Sequence, residues 1–380
     1  MAGGGAVSNQ FPTNPYLYGN PVKDKYGFYG RQDIVEAVSN NLIHSRQHAF
    51  VLHGQRRIGK SSLLYRLRRD EILRQQYLPV FFDMQSFIES GFPPARVLGH
   101  MAQSIRDVLD PQLPTPTEAD LSGDYNRFHR SFLPKVNHLL RSKRILLLID
   151  EFDVVVPQTN AGPASAGELL GYFRTLMADE AVGLAFVFVV GQRYDLLGEG
   201  HRRLFKNAQS HHVGRLKRDD TRSLLVDLGR KGEISYTKKA LDRILDLTNG
   251  HPYITQLLGS EIFEHLQSNA TQRATARDVE ACLDGAMEHG HAGLNWYWSG
   301  FESEPHLQVV LSAVADLTED KPSASVDDIN ETLEQYLHFL TPSDLDEACQ
   351  ALRTDVFFEL ADKQRYRFAV QFIRQWIAEY

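Results

Sequence analysis

Residues 54 to 61 read Gly-Gln-Arg-Arg-Ile-Gly-Lys-Ser, a complete Gly-x-x-x-x-Gly-Lys-Ser phosphate loop. An apolar run from His48 to His53 precedes it, and Leu63, Leu64 and Leu67 follow on one helical face. Strand, glycine-rich turn and helix in that order restrict this part of the chain to an α/β unit. The glycines let the backbone N–H groups of Gly54, Gln55, Arg56, Arg57, Ile58 and Gly59 wrap a triphosphate at a helix N-terminus, with Ser62 in the first turn. Lys60 would neutralise the β- and γ-phosphates, and Ser61 would hold Mg²⁺. Binding of ATP or GTP is therefore expected. The plain alternative is a Gly-rich turn before an ordinary helix.

At 380 residues the chain has material for two or three domains with substantial cores. Its cysteines, Cys282 and Cys349, are far apart and show no metal-ligand spacing, which points to a disulfide-free cytoplasmic protein. The longest apolar runs, Ile145 to Ile149 and Val182 to Val190, are strand-sized, so no membrane span is expected. Met1 to Val7 lacks the basic flank and apolar core of a signal peptide and reads as a flexible tail. With 41 basic and 48 acidic residues, the net charge of -7 gives no global field for nucleic acid.

The first two-thirds alternate short apolar runs with amphipathic stretches, the pattern of a parallel sheet covered by helices. Strands are expected at His48 to His53, Leu78 to Asp83, Arg144 to Asp150, Ala185 to Val190 and near His211 to Leu216. Helices are expected at Ser61 to Gln76, Ala95 to Leu109, Tyr125 to Leu140 and Gly167 to Ala178. From Arg218 the pattern turns all-helical, as in a lid. After a Gly-His-Ala-Gly linker at residues 290 to 293 come three helices, then a hairpin of Val356 to Leu360 with Tyr366 to Val370, which read as a winged helix. The expected division is a flexible segment at 1–20, a nucleotide core at 21–217, a helical lid at 218–289 and a winged-helix domain at 290–380.

The run from Arg144 to Asp150 is a buried strand ending in Asp150, Glu151 and, two residues on, Asp153. A parallel strand presents its C-terminal end at the ligand edge of the sheet. Asp150 there suits Mg²⁺, and Glu151 is placed to polarise a water for attack on the γ-phosphate. An acidic strand end alone is a common solvated turn; a phosphate loop in the same unit shifts the reading to a hydrolase. A second strand, Phe186 to Val190, ends in Gly191-Gln192-Arg193. Gln192 or Arg193 could reach the γ-phosphate and sense its loss.

Phe28-Tyr29-Gly30-Arg31, the phosphate loop, Ile149-Asp150-Glu151, Gly191-Gln192-Arg193 and Gly250-His251-Pro252, in this order, resemble the bacterial and archaeal STAND-type ATPases, relatives of the AAA+ class. The resemblance extends to the closing Tyr366-Arg367-Phe368 and Phe372 to Trp376. It implies a P-loop NTPase parallel sheet of AAA+/STAND type, a helical lid and a C-terminal winged helix. It also implies an ATP-hydrolysing switch with ATP and Mg²⁺ as cofactors, bound between sheet and lid. By the same resemblance Gly30 and Arg31 lie near the base or phosphates, Pro252 lines the base pocket, His251 approaches the phosphates, and Arg193 is the sensor arginine. The catalytic set is then Glu151, Lys60 and Arg193, and the metal set Ser61 and Asp150. Gln32 and Ile34 replace the acidic residues that follow the Gly-Arg pair in the family.

His201-Arg202-Arg203 falls where ring-forming AAA+ proteins place an arginine finger; a solvated basic helix end is the competing reading. The two helices that would approach a DNA groove carry Asp327, Asp328, Glu331, Glu334, Asp344, Asp346 and Glu347 against a lone Arg353. A protein partner is favoured over DNA, although Lys363, Arg365 and Arg367 cluster at the wing. A homo-oligomer acting on DNA, like origin-recognition or transposon target-selection ATPases, is the alternative. Trp296 and Trp298 read as a packing anchor. His211 with His212, and His289 with His291, lack zinc-ligand spacing.

Overall fold

Buried parallel strands need apolar side chains on both faces, and the sequence supplies them at Ile145 to Ile149 and Leu184 to Val190. The computed structural model describes residues 13–24, 26–44, 48–155, 164–179, 181, 183–191, 197–302, 304–354, 357–362 and 365–379. The chain divides into one unit of Pro21–Gly214 and another of Met1–Asn20 with Arg215–Tyr380.

The first unit holds a parallel sheet of β1 (Ala49–His53), β2 (Tyr77–Asp83), β3 (Arg144–Asp150), β4 (Leu184–Val190) and β5 (Gln209–His212), in the order β2-β3-β4-β1-β5. Its helices are α1 (Gln32–His44), α2 (Lys60–Arg68), α3 (Glu71–Gln76), α4 (Pro94–Leu109), α5 (Glu118–Ser122), α6 (Leu133–Leu140), α7 (Ala164–Ala178) and α8 (Glu199–Phe205). Alternation along the strands splits the core in two. Ile145, Leu147, Ile149, Phe186 and Phe188 pack on one face with residues of α4 and α7. Phe50, Leu52, Leu146, Leu148, Val187 and Val189 pack on the other with Leu63, Leu64 and Leu67 of α2. Each of those leucines is fully buried, a contribution of about 1.5 to 3 kcal/mol apiece.

Two local expectations change. The helix expected over Ser61 to Gln76 is two helices, because the Asp70 carboxylate accepts from Ile72 N at 3.2 Å and Leu73 N at 3.1 Å and starts a new one. The strand expected at His211 to Leu216 lies at Gln209–His212, a polar edge strand with no apolar alternation to mark it.

The second unit contains α9 (Arg218–Lys231), β6 (Ser235–Tyr236), α10 (Lys238–Thr248), α11 (Pro252–Ser268), β7 (Arg273–Ala274), α12 (Ala276–Ala281) and α13 (Leu283–Ser299). Then follow α14 (Pro305–Asp320), β8 (Ala324–Ser325), α15 (Val326–Gln335), α16 (Pro342–Thr354), β9 (Phe358–Asp362), β10 (Arg365–Phe368) and α17 (Gln371–Glu379). Strands β6 and β7 pair in parallel, and β8, β10 and β9 form a small antiparallel sheet in that order.

Two expectations about its limits are corrected. The Gly-His-Ala-Gly stretch at residues 290 to 293 is not a linker: it lies inside α13. A Cβ at Gly290 would meet Leu257 Cδ2 at 2.5 Å, so this glycine lets α13 pack closely on α11 instead of breaking the chain. Nor is the whole of 1–20 a loose tail. Tyr16 is buried, and its hydroxyl bonds to Leu225 O at 3.2 Å and to the Tyr236 hydroxyl; residues 1–12 lie outside the described part. No described helix is long and apolar enough to cross a membrane.

Candidate nucleotide site

The phosphate loop leaves β1 through left-handed backbone at Gly54 (φ 153°), Arg57 (φ 57°) and Gly59 (φ 91°). A Cβ at Gly54 would fall 2.4 Å from the Val213 carbonyl oxygen, so no other residue fits there. Gly59 is the N-cap of α2 and brings no side-chain cap. The first-turn N–H groups of α2 therefore have no capping oxygen from Gly59 and suit an anion in the loop.

Lys60 is buried, and its Nζ donates to Gly54 O at 2.9 Å and Gln55 O at 2.7 Å. Burial lowers its pKa to about 8, against the opposing pull of Glu151, Asp153 and Asp150. A cation is thus kept on the inner side of its own loop. The Ser61 side chain hydrogen-bonds the Asp150 carboxyl, whose pKa burial raises. Among the described residues no group of three or more His, Cys, Asp or Glu could hold a metal by itself. One hydroxyl and one carboxylate fit Mg²⁺, which keeps water and phosphate oxygens in its shell instead of a protein cage.

Glu151 follows Asp150 in a left-handed conformation, φ 49°, and opens a short 3₁₀ turn, Phe152–Val154. Its amide donates to Asp150 Oδ1 at 3.1 Å. Burial, then the charge of Asp153, raises the Glu151 pKa, and its buried Oε2 has no hydrogen-bond partner. Arg56 pulls the other way and also acts on Lys60, so its charge belongs to this site.

Asp153 is a site residue that the sequence motif did not single out. It is 1 % exposed; its Oδ1 accepts the Gly191 amide at 2.9 Å, and its Oδ2 is unpartnered. The turn that returns it is fixed by Phe152, which packs on Phe173, Phe188 and Phe205. A Cβ at Gly191 would lie 3.3 Å from Asp153 Oδ2 and 3.6 Å from Glu151 Oε2, so the end of β4 is bare beneath two carboxylates. The available signal was the third acidic residue of Asp150-Glu151-Phe152-Asp153.

Residues 20–289 match the family model described as Novel STAND NTPase 1. The chain belongs to that family. Solved structures share its fold. A Walker-type ATPase of Pyrococcus abyssi is 15% identical, with a TM-score of 0.66 over 94% of this chain and 98% of that one. The ORC2 protein of Aeropyrum pernix, solved as ADPNP-ADP complexes, is 11% identical, with a TM-score of 0.60 over 92% and 94%. Drosophila ORC bound to DNA is 13% identical, with a TM-score of 0.51 over 97% and 90%. No curated protein sequence matches the chain.

In this STAND NTPase the remaining expected residues are distributed as follows. Arg31, at φ 61° and buried, gives its Nη2 to the loop carbonyl of Ile58 and to Gly214 O at 3.1 Å. A Cβ at Gly59 would meet its Nη1 at 3.2 Å. Arg31 thus braces the phosphate loop from its own side, at the cost of burial that lowers its pKa to about 10. Gly30 precedes it at φ 67°. Gln192, Arg193 and Lys363 lie outside the described residues. Pro252 is the first residue of α11, and His251 before it is buried, its Nε2 2.9 Å from the Tyr297 hydroxyl. Arg202 and Arg203 are exposed, the latter paired with Glu199 one turn away, whereas His201 is buried 3.4 Å from Phe152 O. His53 and His212 stand side by side at the ends of β1 and β5, their rings 5.5 Å apart.

Proposed function

We propose that this STAND NTPase binds ATP with Mg²⁺, hydrolyses it, and uses the change of nucleotide to switch a cytoplasmic protein–protein interaction. The observation that carries the reading is Glu151: a carboxylate with a raised pKa and an unpartnered buried oxygen, in the same unit as the phosphate loop. ATP is preferred over GTP because no Asn-Lys-x-Asp motif occurs in the sequence.

A bound magnesium nucleotide supplies the electrophilic γ-phosphorus and the charge that orders the site. Loop amides from Gly54 to Ser62 and the Lys60 ammonium bind the phosphates. Ser61 and Asp150 hold the metal. Glu151 accepts a proton from water at Oε2, a role that suits a carboxylate whose basicity is raised by burial and by the charge of Asp153. Asp153 keeps the end of β4 fixed to the acidic turn through the Gly191 amide. Arg193 is assigned to sensing the γ-phosphate, and Gly30, Arg31 and Pro252 to the nucleotide's surroundings, by the family resemblance.

We read residues 218–289 as a helical lid and the three helices α14, α15 and α16 with strands β8 to β10 as a winged helix. The order helix, strand, two helices, two strands supports the second assignment. Inverting a 99:1 preference between two states would require ATP to favour one about 10⁴-fold.

The test is Glu151→Gln beside Lys60→Ala. The first is expected to keep ATP affinity and lose about 10² to 10⁴ in phosphate release; the second to lose ATP binding. Turnover within tenfold of wild type in Glu151→Gln removes the base assignment. Scattering profiles of that variant that coincide with ATP and with ADP remove the switch. Turnover of a multimer, stimulated by double-stranded DNA, would favour a DNA-acting ATPase.

A further inference from the structure

The turn between α15 and α16 carries an apolar cluster in the most acidic stretch of the chain. Leu337 and Phe339 are 80 % and 76 % exposed, and Tyr336 beside them is 37 % exposed. Single exposed apolar residues are ordinary; three within four positions are not. The turn is firmly built. Leu337 N donates to Glu334 O at 3.0 Å, His338 N to Leu333 O at 2.9 Å, and the Tyr336 hydroxyl to the Asp316 carboxylate. Leu337 holds φ 59°, a conformation glycine or asparagine would take with less strain. Local structure and solvation both oppose leucine here, the kind of conflict expected where a surface has another use.

Charge narrows that use. From Val326 to Leu352 the sequence has seven Asp or Glu and no Lys or Arg, a formal charge of -7 that equals that of the whole chain. Glu331, Glu334, Asp344, Asp346 and Glu347 are all exposed. Such a rim repels DNA phosphates and anionic lipid. It also repels the same face of a second copy, which a symmetric dimer would bring opposite.

We infer that the Tyr336 to Phe339 turn is a docking surface for a protein that offers an apolar pocket rimmed by Lys and Arg. The inference gives the proposed switch the chemistry of its partner, and it rests on that reading for its purpose. Leu337 and Phe339 supply the apolar anchors, and the carboxylates of α15 and α16 supply orientation and rate of encounter.

The experiment selects a phage-displayed library of random peptides on the immobilised full chain, without nucleotide. Enriched peptides are expected to combine Leu, Ile or Phe with Lys or Arg, to bind less tightly at high salt, and to bind Leu337→Asp at least about tenfold more weakly. The double variant Glu331→Lys with Glu334→Lys is expected to shift selection toward acidic peptides, and it leaves the anchors intact should Leu337→Asp misfold by circular dichroism. Enrichment with no basic excess, no enrichment, or equal selection by the variants overturns the inference. So does a dimer abolished by Leu337→Asp, or DNA binding through this turn. A chain that selects basic apolar peptides but releases no phosphate loses the switch and keeps the surface; a chain with the opposite behaviour keeps the ATPase and loses the surface.

Discussion

In the nucleotide unit Asp150, Glu151 and Asp153 gather around a buried lysine, whereas in the second unit the acidic residues of α15 and α16 stand mostly in water. Burial raises the Glu151 pKa; bonds from Ser325 hold the half-buried Asp328 at about 2. The same functional group is a proton acceptor in one place and a permanent charge in the other. What separates them is solvent, because desolvation penalises the ionised form and hydrogen bonds to it reward it. The arginines divide alike. Arg31 is buried and forks onto two backbone carbonyls, while Arg367 reaches Glu359 at 3.3 Å from a half-exposed position.

The largest expected effect tests that division on the arginines. Arg31→Ala leaves the Ile58 and Gly214 carbonyls without their donor and is expected to cost about 2 kcal/mol in urea unfolding, together with weaker ATP binding. Arg367→Ala is expected to cost under about 1 kcal/mol. Equal losses would break the comparison.

Next is pH. Lys60 is protonated below its pKa of about 8 and loses its charge above it. The value of kcat/KM, which reports the free protein, should therefore fall about tenfold per pH unit above that point, while kcat should not, because bound phosphates favour the charged amine. A kcat that falls in parallel would mean that Lys60 is not the group titrating.

The smallest effect concerns stability. Glu151 has a raised pKa in the folded state, so the folded protein holds the proton more tightly than the unfolded chain. Its contribution to stability then falls as pH rises from the ordinary glutamate value of 4.5 through the raised pKa, and above that the charged carboxylate opposes folding. Glu151→Gln should accordingly raise the thermal midpoint by about 2 °C at neutral pH while turnover is lost. Glu331→Gln, at an exposed position, should change stability by less than about 0.5 kcal/mol. Matching shifts in the two variants would erase the distinction.

The parts of this protein legible in its sequence are those where local order is also chemical order. The phosphate loop, the strand ending in Asp150 and Glu151, and the apolar strands each announce themselves within ten or so residues. What the sequence hid depends on distant partners. Gly290 looks like part of a flexible joint until Leu257 is packed against it. Asp153 looks like a solvated turn residue until Phe152 anchors the turn and Gly191 donates to it. Arg31 is pointed at the nucleotide by resemblance, and only the fold brings a carbonyl 27 residues away, that of Ile58, to its guanidinium. Tyr16 could not be told from tail until Leu225 and Tyr236 met its hydroxyl.

One feature of the sheet works as a ruler. The phosphate-loop strand β1 and the acidic strand β3 are never neighbours: β4 lies between them, in register with both. Two inter-strand steps set the two strands about 9.6 Å apart, and the strand between them, which ends at Val190, is followed by Gly191, which brings no side chain of its own. The separation between the lysine's loop and the base's turn is therefore fixed by backbone hydrogen bonds and is insensitive to side-chain identity. Substitutions at either end can alter charge or basicity, but the span across which they act is inherited from the sheet.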